Sequence, residues 1–260
     1  MLENELIKYD DNYYVCVSNG FVKANQELSQ NETKLLRLVI SQVVITDKEF
    51  KSYTTTIPEL AKIFNVSENN LYRDINNMAT NLMRQIIKID FSKKKWTMFH
   101  IFNTCRYDDG ILKMELHEEM KPFLLALKNK YTQYQIGKVI GMSSTYAIRL
   151  FELIQEKRRT QSDVKFCETY SLPLEEIRFS TNIVDKHKRI SDVKKYVLDV
   201  AMREITYNAG YAIDYKDIKE GRKTVGFTFE LYPQYSVRGR ELLEKYGINV
   251  VTGMYYKDEK

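Results

Sequence analysis

The chain has 260 residues, 43% of them hydrophobic and 29% charged, with a net charge of +5. That is apolar enough to bury a core and too apolar for a disordered chain, the length suits two domains of ordinary size, and the mild basic excess fits a nucleic-acid partner. Cys16, Cys105 and Cys167 lie too far apart for a disulfide framework or a zinc ribbon, and neither the opening MLENELIKYDDNYY nor any later run has the apolar length of a signal peptide or of a membrane span of roughly 20 residues. A globular protein of the reducing cytoplasm is expected, with no membrane partner.

In chain order, Tyr13 to Val17 suits a short strand. Ser29-Gln30-Asn31-Glu32 is a capping box, followed by a helix carrying Leu35, Leu36, Leu38, Val39, Val43 and Val44, with Lys34 and Arg37 on its polar side. Tyr53 to Thr56 is rich in β-formers, and Thr56-Ile57-Pro58-Glu59 then opens a helix that runs to Phe64. Beyond a turn at Asn65-Val66-Ser67, the stretch Glu68 to Gln85 sets Leu71, Ile75, Met78, Leu82 and Ile86 on one helical face. The opposite face holds Asn70, Arg73, Asn77, Thr80, Asn81 and Arg84, amides and guanidinium groups of the kind that pair with base edges or phosphates, so Asn70, Arg73 and Asn77 are candidate DNA contacts. Ile86 to Asp90 and Trp96 to Phe102 alternate as two strands around a basic tip of Lys93, Lys94 and Lys95, which predicts a first wing. Asp109-Gly110 is a hairpin signal leading into Ile111 to Leu116, Met120 to Leu127 predicts a closing helix, and Lys128 to Gly141 predicts the junction. Domains are therefore expected at residues 1–130 and 131–260.

The second half repeats the pattern. Ser143 or Ser144 is placed to cap a helix from Tyr146 to Gln155, and Ser171, with Pro173 in the first turn, to cap a shorter one ending near Phe179. Within the first of these, Arg149 sits among Ile148, Leu150 and Leu153, so it is expected to be buried and paired with Glu152 or Glu204. Lys186-His187-Lys188-Arg189 is a basic cluster at the start of Ser191 to Thr206, which is expected to be a helix that reads DNA from the major groove. Ser191 would cap it, and Val193, Val197, Val200 and either Ala201 or Ile205 would hold it to its domain, leaving Lys194, Lys195, Asp199 and Arg203 elsewhere. Gly210 to Tyr215, a turn at Lys219-Glu220-Gly221-Arg222-Lys223, and the alternating Val225, Phe227, Phe229 and Leu231 predict a basic hairpin. A last amphipathic helix is predicted over Arg238 to Tyr246, with a loose end from Tyr255 to Lys260. Helix, strand, helix, helix and basic hairpin thus occur twice, which predicts an α+β protein of two winged helices in tandem. The candidate DNA-binding residues of the second copy are Lys188, Arg189, Lys194, Lys195, Lys219, Arg222 and Lys223.

Signs of catalysis are missing. Gly137-Lys138 is no P-loop, because Thr132 stands at the first glycine position and Val139 replaces the magnesium-binding hydroxyl. His100, His117 and His187 form no His-apolar-His pair, and no Gly-x-Ser-x-Gly, His-Glu-x-x-His or Cys-x-x-Cys occurs. A binder that uses no cofactor and no metal is expected.

Four strings then carry a resemblance: Leu116-His117-Glu118-Glu119-Met120-Lys121-Pro122-Phe123-Leu124-Leu125-Ala126-Leu127-Lys128, Tyr131-Thr132-Gln133-Tyr134, Ser144-Thr145-Tyr146-Ala147-Ile148-Arg149-Leu150-Phe151-Glu152-Leu153, and Val197-Leu198 through Arg203-Glu204-Ile205. With them the chain resembles, over about Glu27 to Leu231, the initiator (Rep) proteins of theta-replicating, iteron-bearing bacterial plasmids. The resemblance implies paired winged helices, the first for dimerisation and accessory DNA contact and the second for the main grip on the iteron. It also implies that monomers bind iterons and recruit the host initiator and replicative helicase, while dimers repress their own gene. A plain winged-helix transcription regulator, or a scaffold without DNA affinity, are the readings set against it. Val193 and Asp199 stand where that family often has basic or aromatic residues.

Overall fold

The structure is a computed structural model that describes residues 4–44, 46–92, 94–125, 127, 130–160 and 162–249. The chain divides into two compact units, Met1–Gly141 and Met142–Lys260. The boundary lies later than the expected 130/131, because part of the presumed junction is a strand of the first unit.

The first unit runs β1 (Asn4–Leu6), β2 (Tyr14–Ser18), α1 (Asn19–Lys23), α2 (Gln30–Ile40), β3 (Ser52–Thr56), α3 (Ile57–Phe64), α4 (Glu68–Arg84), β4 (Ile86–Ser92), β5 (Lys95–His100), β6 (Phe102–Asp108) and β7 (Ile111–Leu116). A 3-10 turn (Glu118–Met120), α5 (Lys121–Leu124), β8 (Tyr131–Gln135) and α6 (Gly137–Ile140) complete it. The predicted closing helix therefore ends at Leu124, and β8 turns back to pair antiparallel with β2, joining Tyr134 to Val15. Local chemistry explains the starts of α2 and α3: Ser29 with Glu32, and Thr56 with Glu59, form reciprocal capping boxes. Lys34 and Arg37 do not face solvent as expected. Both are buried on α2, where Arg37 donates to Gln26 Oε1 at 2.8 Å and lies 5.5 Å from the Phe21 ring centre. Val43 and Val44 fall beyond the helix, and Val44 is exposed.

The second unit runs α7 (Thr145–Arg158), β9 (Glu168–Pro173), α8 (Leu174–Ser180), α9 (Ile190–Val193), a π-helical turn (Lys194–Leu198), α10 (Asp199–Asn208), β10 (Tyr211–Glu220), β11 (Lys223–Pro233) and α11 (Val237–Lys245). Its core is α7, whose Ala147, Ile148, Leu150, Phe151, Leu153 and Ile154 are all fully buried, packed against the helix that carries Val197, Ala201 and Ile205; Phe227, Phe229 and Leu231 of the sheet are fully buried too. Three expected caps are corrected. Ser171 lies in β9, with its hydroxyl 3.0 Å from that of Thr228, and Pro173 is the residue before α8. Ser144 precedes α7 without a side-chain bond, while the Glu204 carboxylate from α10 accepts the Ser143 and Ser144 amides, each at 2.9 Å, and the Ser143 hydroxyl. The helix starting at Ile190 follows Arg189, so Ser191 is inside its first turn.

Sheet order separates the two hairpins of the first unit. In the second unit the order is β10-β11-β9, and pairing with β9 stops at Gly226 opposite Pro173, so the hairpin runs on alone to Glu220 and Lys223. In the first unit β6-β7-β3 repeats that order, yet β7 pairs with β3 from its first residue, Ile111 opposite Thr56, and this hairpin does not project. The lysine hairpin β4–β5 is a separate two-stranded sheet inserted between α4 and β6. It is an addition to the winged-helix topology rather than the counterpart of the second unit's wing.

Candidate nucleic-acid interface

In the second unit the helix expected to read DNA is one continuous run from Ile190 to Asn208 with a π turn in its middle. Val193, Val197, Ala201 and Ile205 are its fully buried line, a spacing of four, whereas Val200 is only half-buried. A straight α-helix would rotate a four-residue spacing steadily off the core. The extra residue of a π turn takes up that drift, so the line stays inward and Val200 moves aside.

The helix is tied to the wing at two points. Lys194 Nζ lies 2.8 Å from Asp217 Oδ2 on β10, an oxygen that also accepts from the Thr224 hydroxyl at 3.2 Å. Further along, the Tyr215 hydroxyl donates to Asp199 at 2.8 Å, and burial, together with that bond, raises the phenol well above its ordinary range. Lys194 is thus turned toward the wing, not outward as a base-reading group would be. Lys195 is exposed, with its ammonium 5.0 Å from the centre of the Tyr196 ring. Lys188 and Arg189 are exposed immediately before the helix, and at the hairpin tip Lys219, Arg222 and Lys223 are exposed around Gly221, whose φ of 59° is the left-handed conformation the turn requires.

The loop between α8 and α9 carries a feature with no signal in the sequence. Arg178 on α8 donates four hydrogen bonds to main-chain carbonyls of this loop: from Nη1 to Ile183 at 3.2 Å and Lys186 at 3.1 Å, and from Nη2 to His187 at 3.0 Å and Lys188 at 3.1 Å. His187 sits at φ 48°, its ring stacked on Tyr196 at 5.4 Å and edge-on to Tyr146 at 6.2 Å. An arginine inside a short helix gives no sequence sign of its carbonyl partners, and these only the folded loop brings together.

In the first unit, Leu71, Ile75, Met78 and Leu82 are buried on α4 as expected, while Ile86 is exposed and belongs to β4. Asn70, Arg73 and Asn77 lie together on the exposed side of α4, with Arg73 bonded to its neighbour Asp74 at 3.0 Å. Asn81 instead donates to Glu32 at 2.9 Å, bracing α4 against α2. Lys94 and Lys95 are exposed at the hairpin tip, and Lys93 lies outside the described residues. The other face of β4–β5 shows Trp96 at 56% and Met98 at 51% exposure, with Lys88 Nζ 5.9 Å from the Trp96 ring. The Arg149 expectation holds: its side chain is fully buried, paired with Glu152, and its Nε donates to the Ser180 carbonyl at 3.1 Å.

Among the described residues no group of His, Cys, Asp and Glu is arranged to hold a metal ion, and no helix is long and apolar enough to cross a membrane.

Comparison with known proteins accounts for both units. Residues 14–155 match the family model described as Initiator Replication protein, WH1, and residues 173–231 match that described as Initiator Rep protein, WH2. Among solved structures, the chain is similar to the Pi initiator protein crystallised in complex with iteron DNA, at 16% identity and a TM-score of 0.71, covering 88% of this chain and 100% of that one. Domains 2 and 3 of RctB match at 11% identity and a TM-score of 0.47, over 80% of this chain and 81% of that one. With both of its winged-helix modules matched, in order and over more than half its length, the chain belongs to the initiator replication protein family.

Proposed function

We propose that this initiator binds directly repeated duplex sites at a plasmid origin, with the second unit making the main contact, and helps open the adjacent DNA without hydrolysing nucleotide. The observation that carries this reading is the pairing, in one winged helix, of a projecting hairpin tipped by Lys219, Arg222 and Lys223 with a helix entered through Lys188, Arg189 and Lys195, all exposed. Such a pair suits the phosphates of a duplex on the hairpin side and the major groove on the helix side. Asn70, Arg73, Asn77 and the lysines of the β4–β5 tip supply accessory contacts from the first unit.

The same reading assigns the first unit to self-association, supported by Ile86, Trp96 and Met98, large apolar side chains exposed beside Lys88 and His100 on one face of β4–β5, which a second copy would cover. The host initiator and the replicative helicase are its other partners, its setting is the bacterial cytoplasm, and it performs no catalysis. Footprinting on the DNA flanking the gene tests the proposal. Protection of several direct repeats beside an AT-rich stretch is expected. Protection of a single operator and nothing else would make the protein a transcription regulator, and the absence of any salt-sensitive duplex binding would leave it a scaffold.

A further inference from the structure

We propose that Arg178 is a positioning residue for DNA reading: its guanidinium presets the loop that delivers Lys188 and Arg189 to the duplex. The proposal rests on the second-unit DNA face described above and goes beyond it, because the half-buried Arg178 directs its terminal nitrogens to main-chain carbonyls of its own chain. A guanidinium offers five N–H groups in a fixed fork, and here four bonds from its two terminal nitrogens go to the carbonyls of Ile183, Lys186, His187 and Lys188. Arranging four carbonyls from a six-residue stretch around one planar group leaves that stretch little freedom.

The loop needs such a brace. Asn182 and His187 both have positive φ, 55° and 48°, a conformation that costs a non-glycine residue free energy and persists only where the surroundings enforce it. His187 is further fixed by its stack on Tyr196 of the π turn and its edge-on contact with Tyr146 of α7. The next two residues are Lys188 and Arg189, and Arg189 is also the residue from which the reading helix starts. A loop ordered before the DNA arrives loses less entropy on binding than one that must be ordered by it, so the brace acts on affinity while making no contact of its own.

The chemistry separates geometry from charge. Lysine keeps the positive charge but cannot span four carbonyls with one ammonium, so Arg178→Lys and Arg178→Ala should behave alike if position matters and differently if charge does. The probes are a duplex recovered by this protein from a random-sequence pool and a scrambled duplex of the same composition, titrated at several salt concentrations and well below the unfolding temperature. Both variants should bind the selected duplex roughly tenfold more weakly, with a smaller loss on the scrambled one and an unchanged slope of log affinity against log salt. Parental affinity in Arg178→Lys would mean that Arg178 acts by its charge, and parental affinity in both variants would mean that it positions nothing; either overturns the proposal.

Two controls keep the result readable. Should the variants fold poorly, backbone amide order parameters of residues 183–189 in the DNA-free parent decide the matter: helix-like rigidity is expected, and a loop that becomes rigid only with DNA overturns the proposal. Lys188→Ala with Arg189→Ala tests the underlying face separately, since it should weaken both duplexes and lower the salt slope. If that double variant binds like the parent, the DNA face has been misassigned; if it weakens while the Arg178 variants do not, the face stands and the positioning role falls.

Discussion

At the scale of single residues, buried charge governs the second unit. Arg149 and Glu152 are both fully buried and paired inside α7, so Arg149→Ala leaves a carboxylate in the core without its counter-ion and should cost roughly 3–5 kcal/mol. Thermal unfolding should show the loss, while duplex affinity, measured where the variant is folded, stays at the parental level. Loss of affinity at unchanged stability would make Arg149 a DNA contact. The apolar neighbours of Arg149 were enough to foresee its burial and pairing, but not to choose between Glu152 and Glu204 as the partner. Sequence spacing was not enough for Lys194, which has the exposed position of a reading residue in the sequence and an Asp217 partner, 23 residues on, in the fold.

A second residue-scale prediction follows from Glu168. Its side chain accepts from Arg158 Nε at 2.7 Å and from the Tyr170 hydroxyl at 2.8 Å, and the arginine, ahead of the phenol, holds the carboxyl below its ordinary range. A carboxyl whose folded pKa is lowered contributes stability that is present above the unfolded value, about 4.3, and is lost as pH falls through the lower folded value. Urea unfolding of the parent and Glu168→Gln should therefore differ at pH 7 and converge on acidification below about pH 4. A gap that stays constant would show that the bond to Arg158 does not depend on the ionised carboxylate.

At the scale of elements, the π turn makes a sharp distinction between neighbouring valines. Val197 is fully buried and Val200 only half-buried, so Val197→Ala should cost roughly 2 kcal/mol while Val200→Ala stays within about 0.5 kcal/mol. Equal losses would mean a straight α-helix with the 3.6-residue face expected from the sequence. Helix and strand identities were legible because the apolar period is strong in α2, α4 and β11 and because Ser29, Thr56 and Ser236 carry real caps. What stayed hidden was pairing at a distance. β8 reads as a linker until β2 is placed beside it, and β4–β5 reads as the first wing until β3 is seen to pair with β7.

The projecting hairpin gives a prediction at the same scale. Replacing Lys219, Arg222 and Lys223 by alanine should weaken selected and scrambled duplexes alike and reduce the salt slope by about one for each phosphate that is no longer neutralised, with folding unchanged because exposed charges contribute little to stability. A slope equal to the parent's would remove the hairpin from the DNA face.

At the scale of the whole molecule, two winged helices sit on one chain with their likeness in topology rather than in sequence. The order helix, strand, helix, helix, hairpin survives in both, while capping, wing length and the inserted lysine hairpin differ. That pattern was readable from the sequence because each unit buries its own core. The division of labour between the units was not, because exposed Asn, Lys and Arg side chains look the same whether they meet DNA or water. Sequence reading thus reached the exposed side chains of the helix from Ile190 but not Asp217 and Glu204, whose partners are distant in the chain, nor Arg178, whose carbonyl partners only the folded loop brings together.

On the proposed reading, the start of the second-unit helix, from Arg189 to Lys195, distinguishes one duplex sequence from another. The most direct test is the ratio of affinities for selected and scrambled duplexes at one fixed salt concentration, for the parent and for the double change Arg189→Ala, Lys195→Ala. The ratio should fall by about tenfold or more, since each good base contact is worth roughly 1–3 kcal/mol. A ratio equal to the parent's, with both duplexes merely bound more weakly, would contradict the assignment and place sequence reading elsewhere in the chain.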